Sequence, residues 1–312
     1  MGTELVSVIV PAFNVASFLP ECLDSLVGQT HGDLEIIVID DGSCDRTRDI
    51  AQDYAARDAR VRVLGSPTNL GIVHALNLGL ARSRGAYIAR MDADDISLPE
   101  RVERQLAYLE NHSDIDLVGV SVRSMDAGGA VLREERTNTD WRRIKRNLRF
   151  GIDIVHGTWL FRRTLLDKVH GYRNMPGCED FDFLLRAIAA GSRCCNVPDY
   201  VGYLHRIGRP GNSVSTLGIK QRRAQKYALS LYRERVATGK DSYNPARIAR
   251  INRVGWLPSI SYDHSARLLA GAVLERNSVV RQCLLLAGSC LLHPPQLKYL
   301  IGRQIIKRSA RP

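Results

Sequence analysis

Four short runs in the first 125 residues are apolar on both faces: 6–12 (VSVIVPA), 35–40 (EIIVID), 61–64 (VRVL) and 86–91 (AYIARM). Strands covered by helices on each side have this pattern. Between them, 17–28, 45–57 and 72–83 show helical spacing. Strands alternating with helices of about 10–15 residues predict a βαβ sheet. A further helix follows residue 98, with Val102, Leu106 and Leu109 on one face, Ser97 and Glu100 at capping-box spacing and Pro99 in the first turn. From 115 to 205 the pattern mixes strand candidates (116–122, 158–162) with helices near 140–148, 163–169 and 180–190. Beyond about 215, helical spacing with frequent Arg takes over, interrupted at Pro245, Pro258 and Pro294–Pro295. The expected fold class is α/β, a mostly parallel sheet flanked by helices with a C-terminal helical appendage.

Composition adds three constraints. The 312 residues suffice for one large domain or one plus an appendage. The longest apolar run, CLLLAGSCLL at 283–292, is about half the roughly 20 residues that span a bilayer, which predicts no integral segment. Seven cysteines without CxxC or zinc spacing, and an N-terminus running straight into a strand, point to reduced thiols in the cytoplasm. Charge is divided unevenly. Residues 1–200 carry 24 Lys+Arg against 29 Asp+Glu, whereas 201–312 carry 20 against 4. The basic region attracts phosphate, whether of nucleotide, nucleic acid or lipid head groups.

The candidate chemistry lies at strand ends. In YIARMDADDISLPER (87–101), Asp92, Asp94 and Asp95 stand on the turn between a strand and a helix. Ligands of open α/β sheets bind outside such carboxyl ends. Carboxylates one residue apart can grip Mg²⁺ or Mn²⁺, which offsets their repulsion; an acidic turn capping the next helix reads equally well from this stretch alone. DDGSCDRT (40–47) repeats the design after the second strand, NLGI (69–72) follows the third, and VPAFN (10–14) the first.

Together with the Glu179–Asp180 pair, these motifs in this order resemble a family 2 inverting glycosyltransferase of the GT-A, Rossmann-like fold, over about residues 5–215. The resemblance divides the chain into a catalytic domain, 1–215, and a basic helical region, 216–312. It implies a nucleotide-diphosphate sugar donor (UDP by resemblance), a divalent cation (Mn²⁺ or Mg²⁺) and a glycan or lipid-linked acceptor in cell-surface polysaccharide synthesis. Carried over by position, Pro11, Ala12, Phe13 and Asn14 line the nucleotide cleft, Asp40 and Asp41 meet base and ribose, and Asn69 with Gly71 closes that wall. Asp92 and Asp94 form the Asp-x-Asp motif, with Asp94 the main metal ligand and Asp95 behind it or capping the helix. Asp180 takes the catalytic-base position, with Glu179 beside it.

The family's His before a Ser-rich turn is displaced in GYLHRIGRPGNSVS (202–215). His205 as a metal ligand, or Arg206 or Arg209 on the diphosphate, are the candidates, with a lid at Gly208, Pro210 and Gly211. His156, with Gly157 and Thr158, reads either as a donor or acceptor contact or as a structural histidine; Trp159 reads as a sugar platform or a core indole. The basic tail suits an anionic membrane surface, which places the protein in the cytoplasm at the inner face of the membrane. No nucleic-acid partner is expected. A non-catalytic sugar- or polyanion-binding protein is the alternative. The hydrolase reading of DADDI leaves DDGS and NLG without a role, and no GxGxxG follows the first strand.

Overall fold

The computed structural model describes residues 4–175, 177–208, 218–251, 253, 264–265, 268, 278–292, 301–302 and 305–306. Strands β1 (Val6–Ala12), β2 (Leu34–Asp41), β3 (Val61–Ser66) and β4 (Tyr87–Arg90) pair in parallel in the order β3-β2-β1-β4. Helices α1 (Leu19–Val27), α2 (Thr47–Arg57) and α3 (Ile72–Arg82) make the crossovers. In register, Val8 faces Ile36 on one side and Ala89 on the other. Every residue of β2 and β4 is buried, as the unbroken apolar runs require.

Past β4 the sheet becomes mixed. After β5 (Ile96–Ser97) and α4 (Arg101–Asn111) come β6 (Leu117–Met125), β7 (Val131–Glu135), α5 (Trp141–Asn147), β8 (Leu160–Arg162), α6 (Leu165–Val169), α7 (Glu179–Ala189) and β9 (Cys194–Arg206). The full order is β3-β2-β1-β4-β8-β6-β9-β5, with β7 on β6. In this part β8, β7 and β5 join antiparallel, while β6 and β9 pair in parallel. The α/β class and the parallel block match the apolar pattern.

The capping box does not form. Ser97 is drawn into β5, where it pairs with Tyr203 of β9; its Oγ accepts from Arg101 Nε at 2.8 Å, and its N–H donates to Ser25 Oγ at 3.1 Å. Helix α4 therefore starts at Arg101, after Pro99, with no side-chain cap.

Helix α8 (Ile219–Thr238) packs on α7, and its Ala224, Tyr227, Ala228 and Leu231 enter the same apolar cluster as the sheet. A short α9 (Pro245–Ile251) and α10 (Val279–Leu292) follow. Pro245 opens a new helix, as expected; Pro258 and Pro294–Pro295 lie outside the described residues, as does the boundary at 215/216. Among the described residues no helix is long and apolar enough to cross a membrane. All seven cysteines are free thiols.

Candidate active site

At the carboxyl ends of β1, β2 and β3 the loops are stitched to one another by side chains. Asn14, in left-handed backbone (φ +50°), donates its N–H to Ser43 Oγ at 3.0 Å, and its Oδ1 accepts from Cys44 N–H at 2.8 Å. Asp45 takes the N–H of Ala16 at 3.0 Å and the hydroxyl of Thr47 at 2.5 Å. Burial opposes its charge, yet these hydrogen bonds hold its carboxyl below the usual range. Gly42 (φ +72°) lies so close to the loop after β3 that a Cβ there would stand 2.7 Å from Asn69 N.

Asp41 does not present a free carboxylate to a base or ribose. Its two oxygens accept the N–H groups of Leu70 at 2.9 Å and Gly71 at 2.8 Å, which makes it the clasp of the NLG loop. Asp40 accepts the Ser43 N–H through Oδ1 at 3.2 Å, and its Oδ2 lies 3.9 Å from Arg48. Phe13, Asn14 and Asn69 are exposed along the same edge, whereas Ala12 is buried and Pro11 and Gly71 are half-buried.

The acidic turn follows β4. Asp92 is one-third exposed and forms an ion pair with Arg90 two residues earlier, and its N–H donates to Tyr203 Oη at 3.2 Å. Asp94 and Asp95 are buried. Asp95 accepts the N–H of Arg206 through Oδ1 at 2.7 Å, while its Oδ2 has no partner among the described residues. Burial, then the charges of Asp92 and Asp94, push the Asp95 carboxyl well up. Beneath the turn, the Cys22 thiol donates to the Asp92 carbonyl at 3.5 Å. Burial followed by the charges of Asp95, Asp94 and Asp92 keeps that thiol protonated. Arg101, the last residue of the motif, is fully buried and donates to the Gly157 carbonyl at 3.1 Å and the Arg90 carbonyl at 3.3 Å.

Facing this turn is the start of α7. Asp180 accepts the Phe181 N–H at 2.7 Å, and Glu179 folds back onto the Cys178 N–H at 3.0 Å. Burial raises the Asp180 carboxyl; the Arg90 guanidinium pulls it down and Asp92 pushes it up. Glu179 is pushed up to about 7 by burial and by the charge of Asp180. Arg90 pairs with Asp92 and its charge is felt by both Glu179 and Asp180; it is buried at 4% exposure, with its Nε unpartnered among the described residues. Its charge, after burial, also holds the His156 imidazole neutral, and His156 Nε2 lies 2.9 Å from Tyr172 Oη.

A stitched loop rim, a carboxylate turn and a raised carboxyl pair narrow the candidates, and comparison decides among them. Residues 7–170 match the family described as Glycosyl transferase family 2. The chain belongs to that family. It is a glycosyltransferase with the GT-A fold. It is 29% identical over 196 residues to the O-antigen biosynthesis glycosyltransferase WbnJ of Escherichia coli, covering 62% of this chain and 74% of WbnJ. The S. aureus TarS 1-349 structure in complex with UDP-GlcNAc superposes with a TM-score of 0.60 at 18% identity, over 97% of this chain and 90% of that one. The mannosyltransferase PcManGT of Pyrobaculum calidifontis, in complex with GDP-Man and Mn²⁺, gives 0.55 at 20% identity, over 98% and 85%.

In this family 2 glycosyltransferase the donor set suits a hard divalent cation. Among the described residues no three His, Cys, Asp or Glu side chains form a closed cage. Mg²⁺ and Mn²⁺ need none: one or two carboxylates suffice when phosphate oxygens and water complete the shell. Asp92 and Asp94 are the carboxylates in position to offer those, and their charges help to push the Asp95 carboxyl up in the same turn. His205 is half-buried on β9, two residues beyond Tyr203 and thus on the same face; burial holds its imidazole neutral against the pull of Asp92 and Asp94.

Arg206 does not reach outward to a diphosphate: its Nε donates to the Asp94 carbonyl at 2.9 Å, and its Nη2 pairs with Glu21 at 2.5 Å. Arg209, Pro210 and Gly211 lie outside the described residues. Trp159 is a core indole, fully buried, donating to the Ile154 carbonyl at 3.2 Å.

Proposed function

We propose that the chain moves a sugar from a nucleotide-diphosphate donor, a UDP-sugar, to a hydroxyl of a glycan or lipid-linked acceptor in cell-surface polysaccharide synthesis, with inversion at the anomeric carbon. The observation that carries this reading is the ion pair of Asp92, at the end of β4, with the buried Arg90, whose charge also favours the ionised form of Asp180 at the start of α7. The UDP-GlcNAc of the TarS complex and the O-antigen role in WbnJ's name support the donor and acceptor classes.

In this reading Pro11–Asn14, Asp40 and the loop carrying Asn69 and Gly71 seat the nucleotide, with Asp41 holding that loop in place. Asp92 and Asp94, with His205, would hold Mn²⁺ or Mg²⁺, which when bound would supply positive charge to the leaving diphosphate. Asp180 takes the proton of the acceptor hydroxyl as its oxygen attacks the anomeric carbon from the face opposite the nucleotide. A new glycosidic bond forms, the sugar–phosphate bond breaks, and nucleoside diphosphate departs. One displacement gives one inversion. Glu179, its carboxyl raised to about 7, stands beside the base, and the start of a rigid helix holds both carboxyl groups.

Thermal unfolding of the full chain with UDP-GlcNAc, UDP-glucose and GDP-mannose, each with and without Mn²⁺, tests the donor. A bound donor at 100-fold its Kd stabilises by about 2.7 kcal/mol. Asp180→Asn is expected to keep that stabilisation while losing at least about 10²-fold in transfer. Full activity in Asp180→Asn, or no stabilisation by any nucleotide sugar with Mn²⁺, overturns the reading.

A further inference from the structure

Helix α10 is built inside out for a protein in water. On its fourteen residues Val280, Cys283, Leu284, Ala287 and Leu291 are all exposed, Leu284 at 67% and Leu291 at 82%. At 100° per residue these five positions fall within one stripe about 100° wide. On the opposite side Ser289 is fully buried, and its hydroxyl donates to the Ser265 carbonyl at 2.8 Å. The apolar face is outward and a hydroxyl is inward.

Residues 301–302 and 305–306 repeat this arrangement. Gly302 rests against Phe150 and Ile306 is buried beside Gly151, while Ile301 and Ile305 face outward at 50% and 36% exposure. An α-helix of fourteen residues is about 21 Å long, too short to cross a bilayer. Charge selects the occupant. From Arg276 to the C-terminus the sequence has seven basic residues, Arg276, Arg281, Lys298, Arg303, Lys307, Arg308 and Arg311, and no Asp or Glu. A second copy of the chain would bring the same positive charge to the contact. An anionic bilayer brings the opposite charge together with an apolar interior.

We infer that the outward stripe Val280–Leu284–Ala287–Leu291, with Ile301 and Ile305, seats this protein in the head-group layer of an anionic lipid surface. The placement has a consequence for the acceptor, which rests on the glycosyltransferase reading above. The segment that Gly302 and Ile306 hold, Phe150–Gly151, leads directly to His156 and Gly157, and a Cβ on Gly157 would stand 2.9 Å from Asp92 Oδ2. A lipid-seated C-terminus thus packs on the chain segment that continues to the carboxylate turn, which suits an acceptor carried on a lipid.

Co-sedimentation of the full chain with phosphatidylcholine vesicles, with and without phosphatidylglycerol, reads the docking directly. Strong binding is expected only when phosphatidylglycerol is present, weakening as salt rises. Leu284→Glu with Leu291→Glu changes two exposed positions and is expected to weaken vesicle binding about tenfold or more, each leucine being worth roughly that factor when buried in lipid. Helicity and transfer to a soluble acceptor are expected to stay at the level of the unaltered chain. Asp180→Asn is expected to bind vesicles normally, so a failure of catalysis and a failure of docking read out separately. No binding to anionic vesicles, binding unchanged in the double variant, or light scattering that finds a dimer the double variant dissolves without any vesicle binding, would each overturn the inference.

Discussion

Glu179 and Asp180 share one low-dielectric corner, and the pair, not either residue alone, sets when a base is available. With Glu179 held up to about 7 by burial and by Asp180, the pair retains a proton in mild acid and loses it toward neutrality. At fixed Mn²⁺ and limiting donor, kcat/KM should rise with pH through about 7. Glu179→Gln removes one negative neighbour, makes the remaining carboxyl easier to ionise, and should move that rise to lower pH. A rise that stays in place would separate the rate limit from this pair.

Residue types at strand ends made most of this corner legible: the acids of YIARMDADD and of ED were visible as acids. Arg90 was not. A lone basic residue in an apolar strand looks like an ordinary strand end, and only its position in a run buried on both faces marked it as a charge needing partners. Asp41 shows what sequence alone does not: its place in the loop network. Its chemistry suits a ligand, but two backbone N–H groups of the next loop reach it first.

At the scale of elements, one tight fit is where the three-residue 3-10 turn His156–Thr158 passes the end of β4. A Cβ on Gly157 would collide with Tyr203 Oη as well as crowding Asp92, and Tyr203 sits on β9, pinned by β5 and β6. Gly157→Ala should therefore displace the Asp92 carboxylate while sparing the donor rim. The expected result is a loss of at least about tenfold in Mn²⁺-dependent transfer for a stability change of about 1–3 kcal/mol, from transfer assays set beside urea unfolding. Unaltered transfer would mean that this approach does not position Asp92.

Strand β9 itself escaped sequence pattern because Pro198 and Asp199 interrupt it. The structure resolves the interruption with an irregularity: residues 197–200 have no partner on β6, Asp199 takes left-handed backbone (φ +49°), and pairing resumes at Val201. Proline there forfeits no ladder hydrogen bond. Strand β7 was hidden by its charged edge sequence, VLREE.

Across the whole molecule, the parallel half was readable because both faces of its strands are apolar, and the C-terminal half was not, because its strands join in an order no local pattern encodes. The link between α8 and the sheet has the same non-local character. Asp241, at 2% side-chain exposure, lies 2.9 Å from Arg173 and 2.7 Å from Arg235. Burial disfavours its charge, but hydrogen bonds from Arg173 and Arg235 hold its carboxyl below the usual range. A carboxyl lowered by folding contributes stability above its unfolded pKa and loses it as pH falls through the folded value. Asp241→Asn should cost about 3 kcal/mol at neutral pH and less in acid, in one cooperative urea transition because α8 shares the sheet's core. Two separate transitions in the unaltered chain would show that the helices fold apart from the sheet.

The distribution of thiols gives the unaltered chain a practical asymmetry. Cys22, Cys178 and Cys194 are buried and held in the unreactive protonated form, and Cys195 is raised to about 11. Cys44 and Cys283 are exposed, the first bonded through its N–H to Asn14 at the donor rim and the second on the outward stripe of α10. A dye or spin label thus has a native foothold at each end of the proposed reaction path, where sugar nucleotide arrives and where lipid begins.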